Sequence, residues 1–493
     1  MSEKDEDKVV VGLKKVPLSS EIEDRKRKVK NTLFVLFICI VFLVIGIFIG
    51  YFYNRVLHNS YDINANQTLG EIESLLDNYW IYSENYEDLQ TDLENKAFYG
   101  MTYFEEDPYT TYMSAKELEE FATEINMDYV GIGVMYKMNN DHAIIQRVFV
   151  NSPAEKAGLM SGDIITKIDN KDVKGLTSSE IKELVLGEAG TDVIISVIRE
   201  NVQMNFVVTR DYVDNSIYCY AQDDYVVMEL SSFGTSTATE CMSYLDEYLD
   251  YDKIIIDVRN NTGGYQTSVK EIAGLFIGDG KVYLRQKDSN GNEVADLTSC
   301  KKTYSNFKKI IILVNGETAS AAEVFAICLK EQMNNVTLVG DNTYGKGVIQ
   351  STSYLSNGGV LKFSSYYWYS PNGVSIHKTG ITPDVPVRQD DIAYEYYAEM
   401  KDDEKYEYDS VSDVTRLCQI ALKYLDYEVV RNDGYFDENF ENVLRQYKNN
   451  NNLGDDSILD KVTYESIIAD AISNMSKPEK DYQFQKAIEL IRE

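Results

Sequence analysis

Residues Val314-Asn315-Gly316-Glu317-Thr318-Ala319-Ser320-Ala321-Ala322-Glu323 decide how this chain is read. They follow the apolar run Ile310 to Val314, which has the composition of a buried strand. A glycine turn comes next, and the sequence from about Ala319 to Leu329 continues as a helix. Ser320 therefore stands where a buried strand turns into a helix. That position sets a hydroxyl beside the unpaired N–H groups of a helix start, which suit an oxyanion. An ordinary helix cap places a serine there too, so the surroundings must decide.

Two neighbouring segments bear on it. Lys253 to Val258 is another apolar strand, running into Arg259-Asn260-Asn261-Thr262-Gly263-Gly264. Thr337 to Val339 is a third, followed by Gly340-Asp341-Asn342-Thr343-Tyr344-Gly345-Lys346-Gly347-Val348-Ile349-Gln350. With the strand Tyr225 to Leu230 and the amphipathic helix Ala238 to Leu249, residues 214–400 alternate strand and helix, which predicts an α/β core with a buried sheet. Lys346 lies between two glycines, so another segment can approach it closely. If Lys346 to Gln350 is extended, Lys346, Val348 and Gln350 share a face, and the Gln350 amide can orient the lysine amine. A lysine serves a serine as base only when neutral, and burial must bring its ordinary pKa of about 10.4 down to roughly 7. Ser-Lys pairs of this kind are a variant of the catalytic triad.

Composition narrows the alternatives. The chain has 493 residues, enough for about three domains. Its formal net charge of −32 argues against a nucleic-acid partner, which needs a basic face. Only three histidines are present, His58, His142 and His377, so a multi-histidine metal site is excluded and no metal or other cofactor is expected. His377 lies in a turn-rich loop and is a poor candidate for the base. The six cysteines show no CxxC and no dense spacing, which indicates neither a zinc ribbon nor a disulfide scaffold.

Working toward the N-terminus, no charged residue occurs from Asn31 to Asn54, and Leu33 to Tyr53 is almost wholly apolar or aromatic. This predicts a single membrane-spanning helix over 32–53. Arg25-Lys26-Arg27-Lys28 precedes it, so residues 1–31 form a cytoplasmic tail and the rest lies outside the cytoplasm. The long apolar run and the absence of a small-residue cleavage site after it disfavour a cleaved signal peptide. Residues 1–31 carry a net charge of +2 and the remainder −34. Residues 60–125 read as helical, with Leu69, Ile72, Leu75, Leu76 and Tyr79 at helical spacing and a capping box at Ser114-Ala115-Lys116-Glu117.

Residues 126–213 change to strands and turns. The run Tyr129-Val130-Gly131-Ile132-Gly133-Val134 and the helix Ser152-Pro153-Ala154-Glu155-Lys156-Ala157-Gly158 resemble a permuted PDZ domain of the bacterial kind. In such a domain the loop of Gly131, Ile132, Gly133 and Val134 would offer backbone N–H groups to a terminal carboxylate, while the peptide adds a strand to the sheet edge. Residues 405–493 are helical. Val414, Leu417, Ile420, Ala421 and Leu425, then the turn Asp433-Gly434-Tyr435-Phe436, then Phe440, Val443, Leu444 and Tyr447, resemble a peptidoglycan-binding domain of the three-helix type.

Taken in order, the motifs from about Asp62 through Val387 resemble the carboxyl-terminal processing peptidases, or tail-specific proteases. The resemblance rests on Gly100-Met101, Asp107-Pro108-Tyr109-Thr110, the PDZ domain, Arg259-Asn260-Asn261 with Gly263-Gly264, Thr318-Ala319-Ser320-Ala321 with Glu323, Gly345-Lys346-Gly347 with Gln350, and Gly380-Ile381-Thr382-Pro383-Asp384. It implies that Ser320 is the nucleophile, Lys346 its general base and Gln350 the residue holding Lys346. It makes Glu323 a supporting polar contact, and gives the oxyanion hole to the N–H groups of Ala321 and of Gly263 or Gly264. Thr262 stands in place of the family's usual proline, Ala322 in place of a common serine, and Gly316-Glu317 reverses the usual order. The expected molecule is thus a multidomain α/β plus α+β protein: a membrane anchor, a helical segment, a PDZ domain, an α/β serine-protease core and a C-terminal three-helix bundle. It would be a membrane-anchored endopeptidase outside the cytoplasm that takes protein substrates by their accessible C-terminal tails, with peptidoglycan as a further partner through 405–493. The alternative is a catalytically silent PDZ scaffold attached to the cell wall.

Overall fold

The computed structural model describes residues 62–493 except 127–128, 140–141, 150, 200–201, 214–215, 399 and 476, together with 26–28 and 30. The expected membrane helix at 32–53 lies outside the described residues, and so does most of the 1–31 tail. Among the described residues no helix is long and apolar enough to cross a membrane. The chain divides into two units, residues 1–101 and 102–493.

The first unit holds α1 (Asp62–Tyr79) and α2 (Leu89–Thr102, which runs to the boundary), joined through a single 3-10 turn at Ser83–Asn85. Trp80 packs its ring on Tyr86 in that turn, with centroids 5.5 Å apart.

In the second unit the expected all-helical stretch 60–125 is corrected. Thr111–Met113 is a strand, β1, and pairs antiparallel along Val360–Lys362 of a later strand. Its Tyr112 and Met113 are buried there, which outweighs the helical periodicity around it. α3 (Ala115–Asn126) follows, opened by Ser114, whose N–H and hydroxyl both donate to Glu117 Oε2 at 2.8 Å.

The PDZ region comprises β2 (Tyr129–Gly131), β3 (Val134–Asn139), β4 (His142–Val148), α4 (Pro153–Ala157), β5 (Ile164–Ile168), β6 (Lys171–Asp172), α5 (Ser178–Val185), β7 (Asp192–Arg199), β8 (Val202–Thr209) and β9 (Asp211–Val213). The main sheet runs β3-β4-β5-β7-β8, with β3 at one edge, and β2 pairs with β9. Ser152 caps α4 by accepting the Glu155 N–H, and Gly158 ends the helix at φ 90°. Ile132, Ile145, Ile165, Ile181 and Ile195 form its core.

The α/β core contains β10 (Ile217–Gln222), β11 (Tyr225–Leu230), α6 (Thr237–Glu247), β12 (Lys253–Asp257), α7 (Gln266–Ile277), β13 (Val282–Lys287), β14 (Glu293–Leu297), β15 (Lys309–Val314), α8 (Ala321–Gln332), β16 (Val336–Gly340), β17 (Val348–Tyr354), β18 (Val360–Tyr369) and β19 (Val385–Pro386). The central sheet runs β10-β11-β12-β15-β16-β19, parallel except for the β10/β11 hairpin. Alternate residues of its strands serve two cores. Ile254, Ile256, Ile310 and Ile312 pack with α6, α7 and α8, while Ile255, Ile311 and Leu313 pack on the opposite face. Apolar contacts on both faces explain why these strands read as unbroken apolar runs. A second sheet runs β1-β18-β13-β14, with β17 also paired to β18.

The C-terminal region contains α9 (Asp413–Tyr424), α10 (Glu438–Asn450), α11 (Lys461–Met475) and α12 (Tyr482–Arg492). The expected three-helix bundle is present, but it does not extend over the whole of 405–493. α9, α10 and α11 close a bundle around Leu417, Phe436, Phe440, Leu444 and Ile468. α12 leaves it and lays Ala487 and Ile491 on the second face of the central sheet, against Val227, Ile255, Ile311, Leu313 and Val339. That sheet face is apolar and needs a cover.

Candidate active site

The site lies at the carboxyl ends of β12, β15 and β16, where parallel α/β sheets gather their functional loops. Ser320 precedes the first turn of α8 with φ 56° and ψ −119°. A non-glycine residue at positive φ is strained, and such strain persists only where the surroundings fix it. They do so here. Ala319 N–H donates to Asn261 O at 2.9 Å, Tyr344 N–H donates to Thr318 O at 3.0 Å, and Ser320 N–H donates to Glu323 Oε2 at 2.9 Å.

Glu323 is fully buried and ties the segments together. Its Oε2 also accepts the Lys346 N–H at 2.9 Å; its Oε1 accepts the Gly345 N–H at 2.7 Å and the Thr343 hydroxyl at 2.5 Å. One carboxylate thus spans the serine and lysine loops. Burial raises its pKa, against the four hydrogen bonds that favour the charged form.

Lys346 is the middle of a tight turn in which Gly347 N–H donates to Gly345 O at 3.1 Å. Its carbonyl accepts the Trp368 indole N–H at 2.8 Å. Gly347 is needed by close approach: a Cβ there would lie 2.5 Å from His377 Cβ. The ammonium nitrogen of Lys346 sits 4.7 Å from the centre of the Tyr109 ring. Burial, helped by the Lys362 charge and opposed by Glu323 and Asp107, brings its pKa down to about 8. That places the amine within reach of its neutral form near physiological pH.

Gln350 departs from the expected geometry. β17 begins only at Val348, and β18 inserts Ser365 as an extra residue opposite the Ile349–Gln350 step. This bulge breaks the simple alternation. The Gln350 amide N–H donates to Ser364 Oγ at 3.4 Å and to Val348 O at 3.5 Å, rather than meeting the lysine amine. Ser364 Oγ in turn donates to Asp107 Oδ1 at 2.9 Å.

The glycine loop faces Ser320. A Cβ on Gly263 would lie 2.9 Å from Ser320 Cβ and 3.0 Å from Ala321 N. Gly263 N–H is already used, donating to Asn261 Oδ1 at 2.8 Å. Among the described residues Gly264 N–H has no acceptor, so of the two glycines it is the available donor beside Ala321. The side chains of Asn260 and Asn315 stitch this loop to the serine loop, with Asn315 Nδ2 donating to Asn260 Oδ1 at 2.8 Å.

In the PDZ loop, Gly133 has φ 78°, and a Cβ would come 2.4 Å from Ser152 Cβ. Among the described residues the N–H groups of Ile132 and Gly133 meet no acceptor, while Ile132 O accepts Ala154 N–H at 2.8 Å. Gly131 ends β2, and Val134 begins the edge strand β3.

The sequence reading gave no role to Asn261, Thr343, Tyr109, Asp107 or Trp368. The run Asp107-Pro108-Tyr109-Thr110 was the available signal, but only the fold carries it to Lys346. Among the described residues no cluster able to hold a metal ion is present.

Comparison with known proteins agrees with this architecture. Residues 224–387 match the model of peptidase family S41, 130–209 a PDZ domain and 412–467 a putative peptidoglycan binding domain. The chain is similar to the carboxy-terminal processing protease CtpA of Bacillus subtilis, with 31% identity over 84% of this chain and 88% of that protein. It is 26% identical to a probable CtpA-like serine protease of Staphylococcus saprophyticus, over 93% of this chain and 94% of that protein. A counterpart in Staphylococcus epidermidis is 27% identical over 91% and 92%. With this agreement of domains and relatives over nearly the whole length, the chain belongs to peptidase family S41, the carboxy-terminal processing proteases, and is a serine-type peptidase carrying a PDZ domain.

Proposed function

We propose that this protein is a membrane-anchored endopeptidase that works outside the cytoplasm, with Ser320 as nucleophile and Lys346 as general base. One observation carries the dyad: the buried Glu323 carboxylate accepts the N–H groups of both Ser320 and Lys346. Neutral Lys346 takes the Ser320 proton as the hydroxyl oxygen attacks the scissile carbonyl. The N–H groups of Ala321 and Gly264 hold the resulting oxyanion. The lysine ammonium then protonates the leaving amine, and water releases the acyl group by the reverse proton route. Gln350 acts behind this pair, through Ser364 and Asp107.

Substrates are protein tails. The free N–H groups of Ile132 and Gly133 suit a terminal carboxylate, and the open edge of β3 suits strand addition. Peptidoglycan is the further partner of the bundle, and the apolar run 32–53 is the anchor, with residues 1–31 in the cytoplasm.

Cleavage of a tail peptide by the full chain, and its abolition in Ser320→Ala, tests the nucleophile; continued cleavage by purified Ser320→Ala refutes it. An amidated peptide should be cut more slowly than the free acid, and equal rates would remove the carboxylate role of the loop. The full chain should partition with membranes and lose that property when residues 1–54 are removed.

A further inference from the structure

The first turn of α12 touches two of the loops that build the site. Asp481 caps this helix, its Oδ1 accepting Phe484 N–H at 3.0 Å. The same carboxylate takes Arg259 in a two-pronged pair, Nη1 to Oδ1 and Nη2 to Oδ2, both at 2.7 Å. Arg259 also donates through Nε to Asp257 Oδ1 at 2.9 Å and through Nη2 to Asp257 Oδ2 at 2.7 Å. Two residues along the helix, Gln483 is buried and donates from Nε2 to Asp341 Oδ2 and to Val387 O, each at 2.9 Å. Gln389 closes the set, donating to Asp481 Oδ1 at 2.8 Å.

Arg259 follows the end of β12 and opens the loop to Gly263 and Gly264. Asp341 follows the end of β16 and opens the loop to Lys346. The helix therefore grips the base of both loops, more than 130 residues from either in sequence. It lies beyond the stretches matched as peptidase and as peptidoglycan-binding domain. A two-pronged arginine–carboxylate pair fixes orientation as well as distance. Behind it, Asn260 and Asn261 join the Arg259 loop to Asn315 and Ala319, so a shift of Arg259 is felt at Ser320.

We propose that the C-terminal helix is a positioning element of the active site: Asp481, through Arg259, and Gln483, through Asp341, hold the glycine loop and the lysine loop in register with Ser320. This rests on the Ser320–Lys346 reading for its catalytic consequence, though the grip itself does not.

The test compares variants of the full chain. Asp481→Asn keeps a capping side chain of equal size, since asparagine caps as well as aspartate, but removes the charge that Arg259 grips. Gln483→Ala leaves the cap and the Asp481–Arg259 pair, and removes the contacts to Asp341 and Val387 together with a 3.3 Å hydrogen bond that Gln483 Oε1 accepts from Arg259 Nη1. Ile491→Ala weakens the packing of the same helix without touching either loop. Asp481→Asn and Gln483→Ala should each lower kcat on a tail peptide by about tenfold or more with KM little changed, the pattern of a lost transition-state interaction. Binding of a peptide boronate, which forms a tetrahedral adduct on serine, should weaken by the same factor. Ile491→Ala should lower the thermal midpoint and leave kcat within about twofold at 25 °C. Amide hydrogen exchange in 259–264 and 342–347 should quicken in Asp481→Asn and not in Ile491→Ala. Unchanged kcat and exchange in both polar variants would overturn the proposal, as would losses that merely follow the fall in midpoint across all three. If Ser320→Ala still cleaves in the same assay, the dyad reading fails and the exchange measurement alone decides the grip.

Discussion

Lys346 carries the sharpest consequences at the scale of single residues. In the proposed general-base role its active form is the neutral amine, and burial brings its pKa down to about 8. Single-turnover cleavage should therefore rise with pH through about 8 and level off above it. Lys346→Arg should be as inactive as Lys346→Ala, because a guanidinium does not accept the serine proton. Substantial activity in the arginine variant would show that only the charge matters. Stability rises with pH in the same direction as activity. The folded pKa lies below the unfolded value of 10.5, so the folded protein bears the full penalty of burying an ammonium below about pH 8, and that penalty fades as pH rises toward 10.5. Lys346→Met should accordingly be inactive yet more stable at pH 7, by up to about 3 kcal/mol, read from denaturant unfolding. Glu323→Gln should lower stability as well as activity. An amide presents N–H groups to some of the four donors now bound by the carboxylate, which costs about 1–3 kcal/mol for each one left unpaired. A fall in both midpoint and kcat is expected, and an unchanged kcat would separate Glu323 from the dyad. The strand-to-helix turn at Ser320 and the glycine-flanked turn at Lys346 were legible from local chemistry, whereas Glu323 entered only through the family resemblance. Tyr109 and Asp107 gained no role because their partners lie over 230 residues away in sequence.

Elements were legible where the period was long and the burial two-sided. The apolar runs at Lys253, Ile310 and Thr337 became β12, β15 and β16 within a residue or two, and the capped helix at Ser152 emerged as α4. Three elements were not legible, each for a physical reason. β1 spans three residues and becomes a strand only because β18 offers an edge. The bulge opposite Gln350 depends on the partner strand, so no pattern within β17 announces it. α12 has the amphipathic pattern of a bundle helix, and nothing local says that its apolar face belongs to another sheet. The PDZ loop yields a prediction at this scale. Gly133→Ala would place a methyl group 2.4 Å from Ser152 Cβ in a residue held at φ 78°. The loop must then shift, at a cost of about 1–3 kcal/mol of local strain. KM for tail peptides should rise several-fold, while a short substrate without a tail keeps its rate. Equal changes for both substrates would remove the loop from tail recognition.

Across the whole catalytic unit, the domains interlock rather than hang in series. Ile144 and Ile164 of the PDZ sheet lie in the bundle's own core, and Gly162 lets that sheet approach α11, where a Cβ would meet Ser473 Cβ at 2.6 Å. Asp402 binds both Lys174 of the PDZ domain and Lys461 of α11. The chain then returns from the bundle to the protease sheet through α12. It follows that the peptidase core does not end where its sequence motifs end. A chain stopped after residue 480 would lose Ala487 and Ile491, both fully buried, with the partly buried Phe484, Ile488 and Leu490. At roughly 1.5–3 kcal/mol for each fully buried large side chain, and less for the rest, the loss is on the order of 5 kcal/mol. That is comparable with the whole stability of a domain, about 5–15 kcal/mol. The exposed face would carry Val227, Ile255, Ile311 and Leu313, now at 0% exposure, as one contiguous apolar patch. The shortened chain should bind a hydrophobic dye, aggregate and show no tail-peptide cleavage, even though Ser320, Lys346 and every motif from 62 to 387 remain. A synthetic peptide of residues 481–493 added in trans should restore part of the solubility and activity, because the sheet face is preformed. A soluble 480-residue chain with an unchanged thermal midpoint would show instead that α12 is dispensable and that the core is complete without it.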